Sequence, residues 1–328
     1  MFDRIAVIGS GAWGTALALA AERAGRHVTL WTRDPHHAEE MNATRENKKR
    51  LADITLPSSI TITSSLNDAC KDARAILLVV PAQALRSISE ALAFVVKQGL
   101  PIIVCAKGID RASGEFMSEI VTDTIPGTMP AILSGPSFAD DVARGLPTAV
   151  VLAAPVEPIA EALAKALSSS RFRVYHSGDL RGVEIGGAAK NVLAIAAGIV
   201  QGRGLGESAR AALIARGFAE LSRFAKTYDA KPETLSGLAG LGDLVLTASS
   251  LHSRNFAFGH DLGRGLSVSD AGGGKLAEGV FTARILDQLA RARGVDMPIV
   301  AAMAAILDGR LSVDGAIDDL MTRPLKGE

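Results

Sequence analysis

The feature that most constrains the fold lies near the amino terminus. A short apolar run, Arg4–Ile8, is followed by a glycine-rich loop, a helix-forming segment over Thr15–Ala24 and a second apolar run, His27–Trp31. A nearly continuous apolar run is typical of a parallel strand that is buried on both faces. Strand, glycine-rich loop, helix and strand in this order form the unit of a doubly wound sheet.

The loop after the first strand has the sequence GSGAWG, which matches the pattern G-x-G-x-x-G. Gly9 allows a tight turn, Gly11 lets the backbone approach a pyrophosphate, and Gly14 permits the helix to pack against the strand. The same pattern occurs in turns that bind no ligand. Its position between a strand and a helix nevertheless favours a dinucleotide site.

The residues after the second strand bear on which dinucleotide is bound. An acid at the end of that strand would bind the ribose 2′-hydroxyl of NAD. Here Trp31 is followed by Thr32, Arg33 and Asp34, and Asp34 is placed to cap a helix that starts at Pro35. Arg33 is left to pair with a 2′-phosphate, although a solvated arginine would give the same sequence. We therefore predict NADPH/NADP as the cofactor, with NADH/NAD as the alternative.

The pattern of the chain changes at about residue 180. Before that point further strands are predicted at Ile60–Thr63, Ala75–Val79, Ile102–Ala106, Ala131–Leu133, Thr148–Ala153 and Phe172–Tyr175. After it the pattern predicts helices at Gly182–Arg203, Glu207–Tyr228, Leu276–Arg293, Pro298–Leu307 and Val313–Met321. We predict an α/β domain with a doubly wound, mostly parallel sheet over residues 1–180 and an all-α domain over residues 181–328. We also predict a helix from Pro81 to Gln98 and loops over residues 42–57 and 237–243.

The segment Gly182–Gly202 is almost wholly apolar and long enough to cross a bilayer. It carries Lys190 and Asn191 near its centre, where a charge is costly in lipid. We therefore predict a buried helix of a soluble protein and no membrane span. Lysines on helices are commonly solvated or snorkel to a surface. The residues one turn before Lys190 are Gly186 and Gly187, however, and such small neighbours leave room for a cleft beside the ammonium.

The composition argues against several other classes of protein. Lys plus Arg and Asp plus Glu both number 35, and this balance gives no support for binding to nucleic acid or to a membrane surface. The 2 cysteines, Cys70 and Cys105, match no metal-binding spacing and suit a reducing compartment. The first residues include an acid and precede no cleavage site, so we predict no targeting segment and a cytoplasmic protein. We also predict that the protein binds no metal.

Two candidate ligand positions lie in the first part of the chain. Lys107 follows the strand predicted at Ile102–Ala106, at the carboxyl edge of the sheet, where ligands bind in this architecture. An ordinary surface lysine is the alternative. The segment GPSFA, from Gly135 to Ala139, is a second turn at the carboxyl edge of the sheet. Its amides and the Ser137 hydroxyl suit a polar substrate, and a helix cap is the alternative for Ser137.

The second part of the chain offers a carboxylate, a phosphate-binding cluster and a further acid. The glycine-rich segment GLAGLGD ends in Asp243. Ser253, Arg254 and Asn255 together supply a hydroxyl, a planar cationic fork and an amide, which suit a phosphate ester. Glu278 stands in the first turn of a predicted helix, where complementarity to the helix dipole is a sufficient explanation.

These segments together resemble the bacterial-type NAD(P)-dependent glycerol-3-phosphate dehydrogenases. The resemblance rests on GSGAWGTALA (9–18), LWTRDP (30–35), CAKGI (105–109), LSGPSFA (133–139), GVEIGGAAKNVLAIAAGI (182–199), RAALIARG (210–217), GLAGLGDLVLT (237–247), SRN (253–255) and AEGV (277–280). It implies an NAD(P)-binding Rossmann domain over residues 1–180. It also implies an all-helical substrate-binding and dimerisation domain over residues 181–328, as in 6-phosphogluconate dehydrogenases.

The resemblance implies roles for individual residues. Lys190 corresponds to the family's catalytic lysine and is also expected to contact the substrate. The other substrate contacts implied are Lys107, Gly135, Ser137, Asp243, Ser253, Arg254 and Asn255. The predicted cofactor contacts include the loop glycines, which are Gly9, Gly11 and Gly14. The resemblance adds Ala12, Trp13, Arg33, Lys107, Ala139, Arg254, Leu276 and Glu278. Arg50 and Ala248 depart from residues that many members of the family carry.

The family's reaction predicts that dihydroxyacetone phosphate is reversibly reduced to sn-glycerol 3-phosphate, for glycerophospholipid synthesis, by a cytoplasmic homodimer. Lys190 would donate a proton to the carbonyl oxygen as negative charge develops there. Two other functions stay open at the level of sequence. One is a related dehydrogenase of another substrate, such as ketopantoate. The other is an NADPH-sensing regulator, which would need the glycine-rich loop but not Lys190 or Arg254.

Overall fold

The computed structural model describes residues 2–274 and 277–324. Leu276, which the resemblance implies as a cofactor contact, lies outside these described residues. The chain forms two compact units. The first consists of the residues up to Lys107 together with Glu115–Glu184, and the second of Gly108–Gly114 together with the residues from Ile185 onward. The domain border at residues 180 and 181 stays a prediction.

The first unit is built on an 8-stranded sheet with the order β10-β9-β8-β7-β6-β1-β2-β5. Only the β8–β9 pair is antiparallel among the described residues of this sheet. Two further strands, β3 and β4, pair as a separate hairpin. The strands are β1 Arg4–Ile8, β2 His27–Trp31, β3 Glu46–Asn47, β4 Leu51–Thr55, β5 Thr61–Thr63, β6 Ala75–Leu78, β7 Pro101–Val104, β8 Met129–Ser134, β9 Thr148–Ala153 and β10 Phe172–Ser177.

The helices of the first unit follow the strands in the predicted alternation. They are α1 Ala12–Arg23, α2 Pro35–Thr44, α3 Leu66–Cys70, α4 Leu85–Leu92, α5 Met117–Thr124, α6 Ala139–Ala143 and α7 Glu157–Leu167. Asp34 caps α2 as expected, since its carboxylate accepts a hydrogen bond from the His36 amide at 3.0 Å. The long helix predicted from Pro81 to Gln98 is wrong. A 3₁₀ turn occupies Ala82–Ala84 and α4 ends at Leu92, before the β-branched pair at residues 95 and 96.

The helices from Leu180 onward are α8 Leu180–Gly202, α9 Glu207–Lys226, α10 Pro232–Ser236, α11 Asp243–Thr247, α12 Arg254–Gly263, α13 Glu278–Ala292, α14 Pro298–Leu307 and α15 Val313–Met321. The predicted fold class, a mostly parallel α/β sheet followed by helices, is confirmed. The loop predicted over residues 237–243 is wrong, because Leu238–Gly242 forms a π-helical turn that leads into α11. Its glycines serve close packing: a Cβ on Gly240 would lie 2.0 Å from the Leu235 carbonyl oxygen.

Helix α8 is the long apolar segment identified in the sequence. Among the described residues it is the one helix long and apolar enough to cross a membrane, and its apolar window is 100% buried. It is therefore a core helix, as predicted. Its burial depends partly on glycines, because a Cβ on Gly198 would lie 2.1 Å from the Phe256 carbonyl oxygen of α12. Conversely, a Cβ on Gly259 of α12 would lie 2.0 Å from the Ile195 carbonyl oxygen of α8.

We expect Gly259→Ala to destabilise the second unit, because the new methyl group would overlap the backbone of α8. Overpacking of this kind costs about 1–3 kcal/mol, and the melting temperature in a thermal scan should fall by several degrees. Gly178→Ala is the matched control, since its Cβ would meet only a Glu157 side-chain oxygen at 3.9 Å. Equal melting temperatures for the two variants would show that α8 and α12 do not need this close approach.

Candidate active site

The glycine-rich loop joins β1 to α1 in a tight turn. Gly9 has a φ of +118°, and its amide donates to the Trp31 carbonyl oxygen at 3.1 Å. A Cβ on Gly9 would lie 2.4 Å from the Val79 carbonyl oxygen, and one on Gly14 would lie 1.8 Å from the Gly9 carbonyl oxygen. Both positions therefore exclude any side chain. The first and third glycines fix the turn and the packing of α1.

Gly11 differs from its two neighbours in the motif. It is exposed, and a Cβ placed on it would have no atom within 4 Å. Ala12 and Trp13 follow, half-buried, in the first turn of α1, and the Trp13 Nε1 is a buried donor without a partner in the described chain. Open space beside a helix N-terminus, together with an unpaired donor, fits a bound pyrophosphate.

A third element holds this loop, and the sequence analysis missed it. Asn47 is fully buried, and its amide donates to the Ser10 carbonyl oxygen at 2.8 Å and to the Thr15 hydroxyl at 2.7 Å. Asn47 lies in the β3–β4 hairpin, within the segment predicted as a charged loop, so that prediction is wrong. No local pattern marks Asn47, because its two partners are distant in sequence. A hairpin amide thus holds both ends of the glycine-rich loop.

Two of the predicted cofactor contacts lie beside other helix starts. Arg33 is exposed after β2 and makes no hydrogen bond or ion pair with other described residues. Its guanidinium is therefore available to an anion. Ala139 is half-buried as the first residue of α6. The contacts predicted for both residues stay predictions.

Lys107, Gly135 and Ser137 come together at the carboxyl ends of β7 and β8. The Gly135 carbonyl oxygen accepts from Lys107 Nζ at 3.1 Å and from the Ser137 hydroxyl at 3.0 Å. Gly135 has a φ of +143°, and a Cβ there would lie 2.8 Å from the Val150 Cα. The turn is therefore specific for glycine, and it places an ammonium and a hydroxyl side by side.

A buried polar cluster surrounds Lys190 in the second unit. Lys190, Asp243 and Thr247 are 5%, 1% and 5% exposed. Lys190 Nζ donates to a carboxylate oxygen of Asp243 in an ion pair, and to the Thr247 hydroxyl at 2.7 Å. The Thr247 hydroxyl also lies 3.3 Å from the same carboxylate oxygen. Lys190 Nζ is thus held between a carboxylate and a hydroxyl at a buried position, where electrostatic interactions are stronger than in bulk water.

Thr247 is absent from the predicted site. A signal for it exists in the sequence, because Asp243 and Thr247 are four residues apart and therefore share a face of a helix. The prediction of a loop before Asp243 hid this relation. The short helix α11 presents both side chains to the same ammonium.

The predicted phosphate-binding cluster lies at the start of α12, with its side chains in different environments. Ser253 is the N-cap, and its hydroxyl accepts from the Phe256 amide at 3.3 Å. Arg254 is exposed and makes no hydrogen bond or ion pair with other described residues. Asn255 is buried, and both ends of its amide bind protein groups. Arg254 is therefore the member of this cluster that is open to an anion.

Helix α13 begins with Glu278, a half-buried acid preceded by the N-cap residue Ala277. The next amide, from Gly279, donates to Asn255 Oδ1 at 2.9 Å. The start of α13 is therefore tied to the start of α12. The cofactor contact predicted for Glu278 stays a prediction.

Comparison with known proteins identifies the family. Residues 4–160 match the model of the NAD-dependent glycerol-3-phosphate dehydrogenase N-terminus, and residues 179–318 match that of its C-terminus. The NAD(P)+-dependent glycerol-3-phosphate dehydrogenase of Azorhizobium caulinodans is 59% identical over 327 residues, covering 100% of this chain and 99% of the relative. This chain belongs to the NAD-dependent glycerol-3-phosphate dehydrogenase family.

Solved structures of this family agree with the assignment. The crystal structure of the glycerol-3-phosphate dehydrogenase of Coxiella burnetii has a TM-score of 0.92 at 37% identity, covering 98% of this chain and 99% of that one. A ketopantoate reductase from Ralstonia eutropha has a TM-score of 0.63 at 17% identity, covering 94% and 98%, and shares the fold alone. The predicted family is confirmed, and with it an NAD(P)-dependent oxidoreductase that interconverts dihydroxyacetone phosphate and glycerol 3-phosphate.

For this member of the family we expect Thr247→Val to lower the free energy of unfolding by about 1–3 kcal/mol. The valine keeps the shape but removes an acceptor from the buried ammonium of Lys190. Thr247→Ser is the matched control, because it keeps the hydroxyl, and both variants would be compared with wild type by denaturant unfolding. A valine variant as stable as wild type would contradict the importance of this hydrogen bond.

Proposed function

We propose that this chain reduces dihydroxyacetone phosphate to sn-glycerol 3-phosphate with NADPH as its preferred cofactor and Lys190 as the proton donor. The observation that carries the proposal is the buried ammonium of Lys190, held by Asp243 and Thr247. A cation in a water-excluded site stabilises charge that develops on a carbonyl oxygen. We take the reaction to be reversible, with Lys190 as the base in the oxidation of the alcohol.

The first unit supplies most of the residues that would hold the cofactor. The open backbone at Gly11 and the N-terminus of α1 would bind the pyrophosphate, and Trp13 Nε1 would gain a partner. The exposed guanidinium of Arg33 would pair with the 2′-phosphate of NADP. Ala139 and Glu278 are proposed as further contacts. When bound, the nicotinamide supplies the hydride that reduces the ketone carbon.

Asp243 and Thr247 have a positioning effect on the proton donor. Because both accept hydrogen bonds from Lys190 Nζ, they fix the direction from which the ammonium meets a carbonyl oxygen. The same ion pair compensates in part for the loss of water around a buried ammonium. Lys190 can therefore hold the carbonyl oxygen by a hydrogen bond first and then transfer its proton to that oxygen as negative charge develops on it.

The phosphate end of the substrate is proposed to bind Arg254. This side chain is exposed at the start of α12, where the planar guanidinium suits two phosphate oxygens and the helix dipole favours an anion. Ser253 and Asn255 flank it. Lys107, Gly135 and Ser137 are proposed as polar substrate contacts, since their donors lie together at the ends of β7 and β8. A substrate that lacks the phosphate should be turned over poorly.

We further propose that residues 1–180 bind the cofactor and residues 181–328 bind the substrate and form a homodimer. The matches to separate N-terminal and C-terminal family models, over residues 4–160 and 179–318, support such a division. A cytoplasmic location and a supply of glycerol 3-phosphate for phospholipid synthesis follow from the family resemblance. Sedimentation of the purified chain tests the dimer. Nicotinamide absorbance with dihydroxyacetone phosphate, read with NADPH and NADH side by side, tests the reaction.

We expect Lys190→Ala to lower kcat by about 10²–10⁴, the usual range for a positioned proton donor. The control Lys226→Ala removes an exposed lysine at the end of α9 and should leave kcat unchanged. Circular dichroism and NADPH binding would be measured on the same samples, because the change also leaves Asp243 buried without this partner. Turnover near the wild-type value would remove Lys190 from the mechanism.

We expect Arg33→Ala to weaken NADPH binding by about 10- to 100-fold, since a hydrogen bond to a charged group contributes about 1.5–3 kcal/mol. The dissociation constants would be measured by nicotinamide fluorescence. NADH is the internal control, because it lacks the 2′-phosphate and its dissociation constant should not change. If the NADPH dissociation constant is also unchanged, Arg33 does not select the cofactor.

A further inference from the structure

Between β7 and α5 the chain leaves the first unit and returns to it. The residues up to Lys107 and the residues from Glu115 belong to the first unit, whereas Gly108–Gly114 belongs to the second. We call Gly108–Gly114 the crossing segment. Lys107, which is proposed to contact the substrate, directly precedes it. The position of this lysine therefore depends on how the crossing segment is held.

A buried carboxylate closes the crossing segment into a turn. Asp110 is 7% exposed, and its Oδ2 accepts from the Ala112 amide at 3.1 Å, from the Ser113 amide at 2.9 Å and from the Ser113 hydroxyl at 2.9 Å. The Gly114 amide donates to the Asp110 carbonyl oxygen at 2.9 Å. All of these donors belong to the crossing segment. A single residue therefore organises the segment from within, as aspartate does in local turns.

The crossing segment also touches α13. The guanidinium carbon of Arg111 lies 5.5 Å from the centre of the Phe281 ring. Phe281 follows Glu278, a proposed cofactor contact, by about one turn of that helix. Arg111 is exposed, and an exposed cation above a ring is only weakly attracted to it. The contact therefore directs the crossing segment towards α13 but leaves its shape to Asp110.

Both ends of the crossing segment are anchored in the first unit. On the entry side, Lys107 Nζ donates to the Gly135 carbonyl oxygen at 3.1 Å. On the exit side, Glu115 forms an ion pair with Arg86. Gly114 has a φ of +74°, a conformation that favours glycine, so the segment leaves in a sharp turn. Because both ends are held, a change in the shape of the segment is taken up at its ends, and Lys107 stands at one of them.

We propose that Asp110 is a positioning residue that holds Lys107 where its ammonium meets the substrate. Asp110 stands three residues after Lys107 and acts through the backbone between them, not by contact with the substrate. Without its carboxylate the turn opens, and Lys107 is displaced together with the residues that follow it. A displacement of about 1 Å at a group that orients the substrate can cost about 10²-fold in rate. The inference deepens the proposed function and rests on the substrate contact proposed there for Lys107.

The comparison of Asp110→Ala with Asp110→Asn tests this role. Alanine removes the acceptor of all three side-chain hydrogen bonds. Asparagine keeps one side-chain oxygen, and one oxygen is all that the three donors use. We expect kcat/KM for dihydroxyacetone phosphate to fall by about 10- to 100-fold in the alanine variant and by less than about 5-fold in the asparagine variant. Wild-type kinetics in Asp110→Ala, or an equal loss in both variants, would contradict the proposal.

A second comparison separates positioning from a general loss of stability. If Asp110 acts through Lys107, then Asp110→Ala has no further effect once the lysine side chain is gone. The double variant should therefore lie within about 3-fold of Lys107→Ala alone, because residues that act on one interaction are not additive. A turn that only stabilises the fold lowers kcat/KM by the same factor with and without the lysine side chain, and that result would overturn the positioning role.

Gly114→Ala changes the crossing segment without touching the carboxylate, and it serves as an independent arm if Asp110→Ala does not fold. A Cβ on Gly114 would have no atom within 4 Å, so the substitution is strained only by the positive φ. We expect kcat/KM to fall by about 5- to 10-fold. Gly309→Ala is the matched control, since Gly309 has a φ of +70° and equally open surroundings in the turn between α14 and α15. Equal kcat/KM in the two glycine variants would show that the shape of the crossing segment does not matter to catalysis.

Lys107→Ala alone distinguishes this inference from the function on which it rests. If Lys107→Ala loses activity while Asp110→Ala behaves as wild type, only the positioning role fails. If Lys107→Ala keeps wild-type kinetics, the substrate contact proposed for Lys107 is wrong and the positioning role falls with it. Lys190→Ala, assayed in parallel, shows whether the proton donor of the proposed function is correct.

Discussion

The buried ion pair of Lys190 with Asp243 is the interaction on which the second unit depends. An ammonium taken out of water is costly unless a charge and hydrogen bonds compensate for it. Asp243 supplies the charge and Thr247 a hydroxyl, and both do so from one face of α11. That face exists only because the chain is helical at Asp243. The glycine-rich turn before α11 is therefore required to lead into a helix, and not to form a flexible loop.

The close approach of helix backbones follows from the same requirement. Helix α8 can bury a lysine only if its neighbours come near enough to exclude water, and Gly198, Gly259 and Gly279 each lie where a Cβ would strike a facing backbone. The contacts with α12 and α13 place Arg254 and Glu278 beside the turn that carries Lys190. The close packing that buries Lys190 thereby also determines where the other polar groups of the unit lie.

Much of the first unit and the principal charged residues could be predicted from sequence, because their signals are local. The strand, glycine loop and helix at residues 4–23 follow a short-range pattern, and Lys190 is conspicuous as a lone charge in an apolar segment. Asn47 and the partners of Asn255 could not be predicted, since each binds groups far away in the chain. The loop prediction for residues 237–243 failed for a different reason. Glycine permits close packing as well as loops, and the sequence pattern does not distinguish the two.

A second ionisable group on α8 shows that burial alone does not preserve a charge. Glu184 accepts from the Ser118 amide and hydroxyl at 2.8 and 2.9 Å and pairs with Arg181 at 3.2 Å, yet burial raises its pKa to about 7. The folded state therefore holds this proton at a pH where the unfolded chain has lost it. Its contribution to stability is complete below the unfolded pKa of 4.5 and is lost as the pH rises through about 7. The fold accepts a neutral Glu184. Lys190, by contrast, lies in an ion pair with the carboxylate of Asp243 and also donates to the Thr247 hydroxyl.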